Sequence, residues 1–487
     1  MIDQSASYIG LIVSLILPWI TGAIWMRYLL HGSGNWNWPI ILGYGYPIGI
    51  FITTLTIRIY DATNAKLDFT TIAIIIGIIA SIGITLLWLS DRKSPSNTTT
   101  QSDWTALLLW QKILLGVIAL LILIRYGTIF LEIIWRPIYP WDAWMNWAPK
   151  AKIWFAHNQL TEFISPDAWL HTPPYENAYT LGNRDAWKYP ETVPLIQLWT
   201  AMGMGFWYHS LINIPWLICS ISLGLAFYGQ FRLLNHSILL SIISVYLLLN
   251  IPYINIHTML AGYADLWLTT TFGMAAFALY FWQYKQQRIY AYIAILFAMI
   301  CTQIKVPGLI LAALIIFALI LSLAKKHTLA RQLSIYILAP MFILVFLIGF
   351  SFQMPYLGEV TISSERIALP YLGKYNLEYH SVWNSIFTSM QTFGHWNIFW
   401  GLSIVIIAFT ILFQSRSKIF SIVPFLLPAL TLATLFIIFF FTNKYQTAID
   451  QTTLNRALLY TIPPILFISL AELARVFNNI RFKQMSC

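Results

Sequence analysis

The residues best suited to chemistry lie in one stretch, Trp135-Arg136-Pro137-Ile138-Tyr139-Pro140-Trp141-Asp142-Ala143-Trp144-Met145-Asn146-Trp147-Ala148-Pro149-Lys150-Ala151-Lys152-Ile153-Trp154-Phe155. It holds a single carboxylate, Asp142, with four tryptophans after Pro140 and two lysines. The stretch follows a long apolar run, where a helix should leave a bilayer. A carboxylate set among aromatics at a membrane edge is costly unless it is used, so Asp142 is a candidate functional group. Interfacial anchoring accounts for the rest. Trp141, Trp144, Trp147, Lys150 and Lys152 recur every three or four residues or nearly so, as on an amphipathic helix lying in the headgroup layer. Anchoring gives no reason for Asp142.

The elements that must position these residues are transmembrane. The chain has 487 residues, 59% hydrophobic and 9% charged, with mean hydropathy +0.69. That composition excludes a soluble globular protein, and the long Ile, Leu and Phe runs exclude an outer-membrane barrel of alternating strands. The net charge of +10 reads as Lys and Arg in cytoplasmic loops, with no nucleic-acid partner expected. Cys219, Cys301 and Cys487 are too scattered for a disulfide framework or a zinc site. No basic segment precedes the first apolar run, so a retained first helix is expected in place of a cleaved leader.

The expected fold class is all-α, a polytopic bundle of about 12–14 spans with amphipathic interfacial helices in the long outer loop. The expected spans are 8–30, 38–58, 69–90, 105–134, 190–207, 211–229, 237–255, 263–284, 289–304, 307–324, 332–352, 397–414, 419–442 and 457–474. Residues 91–104 read as a polar loop. The two long polar stretches are 135–189 and 353–396. Arg125 and Glu132, seven residues apart inside the fourth apolar run, are expected to satisfy one another on one helix face.

Arg232, the pair Lys285 and Arg288, the cluster Lys325, Lys326 and Arg331, the pair Arg416 and Lys418, and finally Arg475, Arg481 and Lys483 fall on alternate loops, which the positive-inside rule makes cytoplasmic. Residues 251–264, Lys305, 353–396 and 443–456 then lie outside. Two expected spans, 190–207 and 211–229, separate 135–189 from Arg232. Placing all the aromatic, polar loops on one side requires that only one of the two crosses.

Several segments taken in order resemble a known family. They are Tyr139-Pro140-Trp141-Asp142-Ala143-Trp144, Lys188-Tyr189-Pro190-Glu191-Thr192-Val193-Pro194-Leu195, Ala261-Gly262-Tyr263-Ala264-Asp265-Leu266, Gln303-Ile304-Lys305-Val306-Pro307-Gly308 and Asn455-Arg456-Ala457-Leu458-Leu459-Tyr460. Together, over residues 105–475, they resemble the polytopic GT-C glycosyltransferases, which use polyprenyl-phosphate-linked sugars, and within them the mannosyltransferase and aminoarabinose transferase-like group. The chain departs from that pattern in its three preceding helices and in a lone Asp142 where metal-dependent members have paired carboxylates. The domains implied are extra helices in 1–104, a catalytic module in 105–475 with outer loops 135–189 and 353–396, and a cytoplasmic tail in 476–487.

The resemblance implies an inverting transfer of a sugar to an acceptor glycan, lipid or protein, on the outer face of an inner (cytoplasmic) membrane, with Asp142 as general base and no metal or other cofactor. It implies that Lys305, Arg456 and Lys188 hold the donor phosphate, and that Trp141, Trp144, Tyr189, Glu191, Asp265 and Arg366 line the substrate site. Each also has a plain structural reading. Lys305 could snorkel from a helix end, Asp265 could complement a helix dipole, and Arg366 could pair with Glu365. His257 and His395 read as polar loop residues. The alternatives are a membrane glycan polymerase or ligase, and a lipid-linked sugar transporter or flippase.

Overall fold

The computed structural model describes residues 4–31, 36–93, 104, 107–173, 178–324, 347–354, 358–370, 372–415 and 423–485. Most of the expected span 332–352, most of the 91–104 loop, and Cys487 lie outside these residues. The structure is 75% helical. It divides into two compact units, Met1–Met274 and Ala275–Cys487.

The first unit contains α1 (Gln4–Leu30), α2 (Trp38–Asp61), α3 (Phe69–Lys93), α4 (Leu109–Trp135), α5 (Ala148–His157) and the one-turn α6 (Pro166–Trp169). It continues with α7 (Thr192–Met204), α8 (Ile214–Leu233), α9 (Ile238–Leu249), α10 (Pro252–Met259) and the start of α11 (Asp265–Lys285). Strands β1 (Glu162–Phe163) and β2 (Ala178–Tyr179) pair in parallel within the 135–189 segment. Local sequence sets the helix ends. Asn37 caps α2 by accepting from the Ile40 N–H at 3.0 Å, Ser237 caps α9 through the Leu240 N–H at 3.2 Å, and Gly205, at φ +75°, ends α7.

The second unit holds α12 (Arg288–Thr302), α13 (Pro307–Ala324), α14 (Trp383–Phe387), α15 (Phe399–Ser415), α16 (Leu426–Phe441), α17 (Tyr445–Ile449) and α18 (Leu454–Met485). Between α13 and α14 lies an antiparallel sheet in the order β3 (Phe350–Met354), β4 (Gly358–Ile362), β5 (Arg366–Leu369), β6 (Gly373–Asn376). The all-α expectation is corrected here. The described end of the expected 332–352 span is strand from Phe350, and part of the 353–396 loop is sheet.

Seven helices are long and apolar enough to cross a membrane, and an eighth crossing exists if α9 and α10, bent by 61° at Asn250–Ile251, count as one. The chain is therefore a multi-pass membrane protein. The expected 12–14 spans were too many among the described residues. Three apolar helices, Arg288–Thr302, Pro307–Leu323 and Phe399–Phe413, are shorter than the others. Helix α7, expected as the span 190–207, has 13 residues, nearly all buried. At 1.5 Å per residue it covers about 20 Å against a hydrocarbon core of about 30 Å. Of the two expected spans between 135–189 and Arg232, only Leu211–Leu233 is long and apolar enough to cross, which is the parity that the sequence asked for.

The expected boundary at 104/105 falls inside the first unit, because α1–α3 are built into it. The Trp199 indole N–H on α7 donates to the Ser14 carbonyl at 2.8 Å, and the Asn37 amide donates to the Gly229 carbonyl at 2.9 Å. The turn after α2 is tied to the long segment, since the Leu160 N–H donates to Asp61 at 2.9 Å and the Leu67 N–H to the Asn158 carbonyl at 2.7 Å. The other ends of α1 and α3 meet where His31 contacts Asp91 at 2.8 Å. Glu132 pairs with Arg136 at 2.6 Å, and not with Arg125 as expected, since the i,i+4 partner is nearer than one seven residues away.

Helices α1 and α2 cross at backbone contact. A Cβ added to Gly22 would overlap the Gly45 carbonyl, and one added to Gly49 would overlap the Pro18 carbonyl, whereas Gly77 on α3 has nothing within 4 Å. Gly22→Val should destabilise the purified protein by about 1–3 kcal/mol or more. Gly77→Val should change stability by less than about 0.5 kcal/mol. Thermal unfolding of the two variants checks this.

Candidate functional site

Asp142 sits where the chain turns after α4, and it is 8% exposed. The Ala143 and Trp144 N–H groups close the turn on the Pro140 carbonyl at 2.9 and 3.2 Å. A π-helical turn, Ala143–Trp147, follows, in which the Ala148 N–H reaches back five residues to the Ala143 carbonyl. Pro149 has no N–H to offer the Met145 carbonyl, which favours a register change at this point. Such turns insert a residue and re-aim side chains. Trp141 and Trp144 are each 55% exposed, while Asn146, Trp147, Lys150 and Trp154 are all buried. The expected single anchoring face is thus corrected. Trp141, Trp144 and Lys152 face outward, and Trp147 and Lys150 face the core.

The floor of the site is the Ala261–Asp265 turn. Gly262 has φ +98°, a backbone conformation that suits glycine, and a Cβ there would lie 2.7 Å from the Ala143 Cβ and 3.2 Å from the Gln197 Nε2. The Asp142 N–H donates to the Tyr263 hydroxyl at 3.3 Å. The Tyr263 carbonyl accepts from the Trp216 indole at 2.7 Å, which fixes the turn to α8. Asp265, fully buried, opens α11 two residues later. His257, expected in a loop, is buried on α10 with its ring 5.9 Å from that of Tyr263. On α7, the Gln197 amide donates to Asn213 at 2.9 Å.

Lys150 is the functional-looking residue that sequence reasoning treated only as an anchor. It is 1% exposed, and its ammonium donates to the Trp187 carbonyl at 2.9 Å and the Tyr189 carbonyl at 3.3 Å. The Tyr189 ring packs 5.3 Å from Trp147. Lys150 thereby pins the 186–189 turn under α5. Its signal in the sequence was the Asn146–Lys150 spacing of one helical turn, hidden by the unreadable π-turn. Lys188, by contrast, is about half exposed and paired with Asp185 at 2.8 Å. Glu191 lies 3.6 Å from Arg58, whose guanidinium also donates to Thr192 at 3.3 Å.

The remaining candidates lie in the second unit. Lys305 is half-buried in the turn between α12 and α13, its carbonyl accepting from Gly308 at 2.8 Å. Arg456 is half-buried in the first turn of α18, next to Asn455, which accepts from the Ser389 hydroxyl. Arg366 pairs across strands with Glu359 at 3.1 Å, and not with the neighbouring Glu365. Lys374 joins Glu359 at 2.7 Å. Hydrogen bonds from Lys374 and Thr361 hold the Glu359 carboxyl down to about 2. His395 is lowered by burial.

Among the described residues no group of three or more His, Cys, Asp or Glu could hold a metal ion. Cys219 and Cys301 are buried thiols. No family model, curated protein or solved structure matches the chain.

Burial pushes the Lys150 ammonium down from 10.5 to about 8, against the opposing pull of Glu191. Below pH 8 the lysine is charged in folded and unfolded chains alike, and the folded state carries the desolvation cost. Between about pH 8 and 10.5 the unfolded chain binds the extra proton, so this group makes stability rise with pH. Lys150→Met should remove that rise. Unfolding midpoints of wild type and variant across pH 7–10 check it, with the wild-type curve expected to climb relative to the variant.

Proposed function

We propose that the protein is a GT-C-type membrane glycosyltransferase that moves a sugar from a polyprenyl-phosphate donor to an acceptor on the extracytoplasmic face of a cytoplasmic-type membrane. The observation that carries this reading is the junction of two segments 120 residues apart. The Asp142 turn rests on the Gly262-Tyr263 turn, and these are two of the segments on which the family resemblance stands.

The chemistry follows from an inverting displacement. An acceptor hydroxyl or amine attacks the sugar anomeric carbon. The bond from that carbon to the phosphate oxygen breaks, and polyprenyl phosphate leaves with the bonding pair. The acceptor proton passes to Asp142, a base placed outside the hydrocarbon and shielded from bulk water. The departing phosphate's charge calls for cationic partners, a role for which the family resemblance names Lys305, Arg456 and Lys188. Lys188 is paired with Asp185 and Arg366 with Glu359. Tyr189 and Asp265 remain in the substrate assignment, while Glu191, held near Arg58, supports the start of α7. With a single carboxylate in the Trp141-Asp142-Ala143 motif, the reaction is assigned no metal. The α4–α8 topology supports the outer side, since one crossing separates the site from Arg232. The polymerase or ligase alternative draws on the folded sheet β3–β6 in the later outer segment.

The test is transfer of radiolabelled sugar from polyprenyl-phosphate donors in membranes containing wild-type or Asp142→Asn protein. Removing a general base should cost on the order of 10²–10⁴-fold in rate. The loss should occur at normal expression, and wild-type activity should persist in EDTA. Undiminished transfer by the variant would remove Asp142 from the mechanism.

A further inference from the structure

The β3–β6 sheet of the second unit sorts its side chains by polarity. Successive residues of a strand point to opposite faces, and directly paired residues share a face. Phe350 pairs with Ile362 and Phe352 with Val360, Ile362 pairs with Ile367, and Ile367 with Tyr375. These residues make one apolar face. Ser351, Gln353, Glu359, Thr361, Arg366 and Lys374 occupy the alternate positions. Their contacts agree with the register. The Ser351 and Thr361 hydroxyls are 2.9 Å apart, and Arg366 and Lys374 both reach Glu359, at 3.1 and 2.7 Å. All the charged residues of the strands therefore lie on one side. On the other side Phe350 and Phe352 are 49% and 53% exposed, and no described helix packs along the sheet. An apolar sheet face left open in this way marks an interaction surface.

The position of the sheet decides what covers that face. Strand β3 follows directly on Leu347 and Ile348, which are 65% and 75% exposed and end an apolar run of the chain. The chain leaving β6 is tied to the end of a spanning helix. The Glu378 N–H donates to the Phe441 carbonyl at 2.9 Å and the His380 N–H to the Phe440 carbonyl at 2.7 Å, and Val423–Phe441 is long and apolar enough to cross. Tyr379 and Trp383 pack on Phe440, and with Phe387 they are more than half exposed. Exposed aromatics around the end of a span mark the membrane–water interface. Both ends of the sheet thus lie at the level where α16 leaves the bilayer. We infer that the β3–β6 sheet lies on the lipid surface, with the face of Phe350, Phe352 and Ile362 against the membrane and the face of Glu359, Arg366 and Lys374 toward water. It rests in the headgroup layer and does not enter the hydrocarbon, because the outer edges of β3 and β6 carry unpaired backbone groups that need water. This surface is independent of the transferase reading.

The test is site-directed spin labelling of the full chain in phosphatidylcholine liposomes. Cys487→Ser provides the background, since Cys219 and Cys301 are buried. Nitroxides are attached one at a time to Phe350→Cys, Ser351→Cys, Phe352→Cys and Gln353→Cys proteins. Collisions with oxygen, which concentrates in lipid, are compared with collisions with a water-soluble nickel chelate. Labels replacing Phe350 and Phe352 should meet oxygen more than nickel. Those replacing Ser351 and Gln353 should meet nickel more, so that the ratio alternates with the two-residue period of the strand. Uncharged phosphatidylcholine should suffice, because the charges of the sheet face away from the lipid. Val360→Cys and Ile362→Cys, set against Thr361→Cys, read the same two faces on β4 and serve if the phenylalanine variants do not fold. Equal access of nickel at all positions would overturn the inference by placing the apolar face in water. Labels on that face that are immobilised and reached by neither reagent would also overturn it, because protein and not lipid would then cover the sheet.

Discussion

The approach of Gly262 to Ala143 is the constraint on which the site depends. The two backbones come so close that a Cβ at 262 would crowd the Ala143 Cβ at 2.7 Å. A left-handed residue is needed there, and glycine supplies it with little strain. The same turn aims Tyr263 at the Asp142 backbone and is itself held by Trp216. Asp142 is thereby held at the end of a spanning helix by the turn before α11, which is itself tied to α8. A carboxylate on a loose interfacial helix would be free to turn toward water, and its burial would not persist.

The polar groups of this apolar chain work mostly by closing backbone gaps. Lys150 satisfies two carbonyls of the 186–189 turn, Trp199 one on α1, Trp216 one on the Ala261–Asp265 turn. In a hydrophobic surrounding each such bond matters because the alternative is an unpaired group with no water to turn to.

Much of the architecture was legible in the sequence because apolar composition carries it. The multi-pass class, the position of most long helices and the exposed polar segments follow from that signal. The span count does not, because a short buried helix such as α7 and a true span have the same apolar composition, and only length against the bilayer separates them. The β3–β6 sheet was hidden in a segment read by polarity alone. At the site, Asp142 stood out by being an acid in the wrong solvent. Lys150 did not, because the π-turn shifts the helical register and sends Trp141 and Trp144 outward while the next turn faces in. No periodicity rule reads that shift, and the contact between residues 143 and 262 is a long-range fact that a single sequence does not carry.

The most direct measurement of the central claim is the turnover of sugar transfer by Gly262→Val protein that has been shown to insert and to bind the polyprenyl-phosphate donor as wild type does. If the Gly262 turn positions Asp142, the turnover rate should fall by tenfold or more, since small displacements of a catalytic group cost on the order of 10²-fold. A correctly inserted variant that transfers sugar at the wild-type rate would contradict the account, because Asp142 would then act without the contact that holds it.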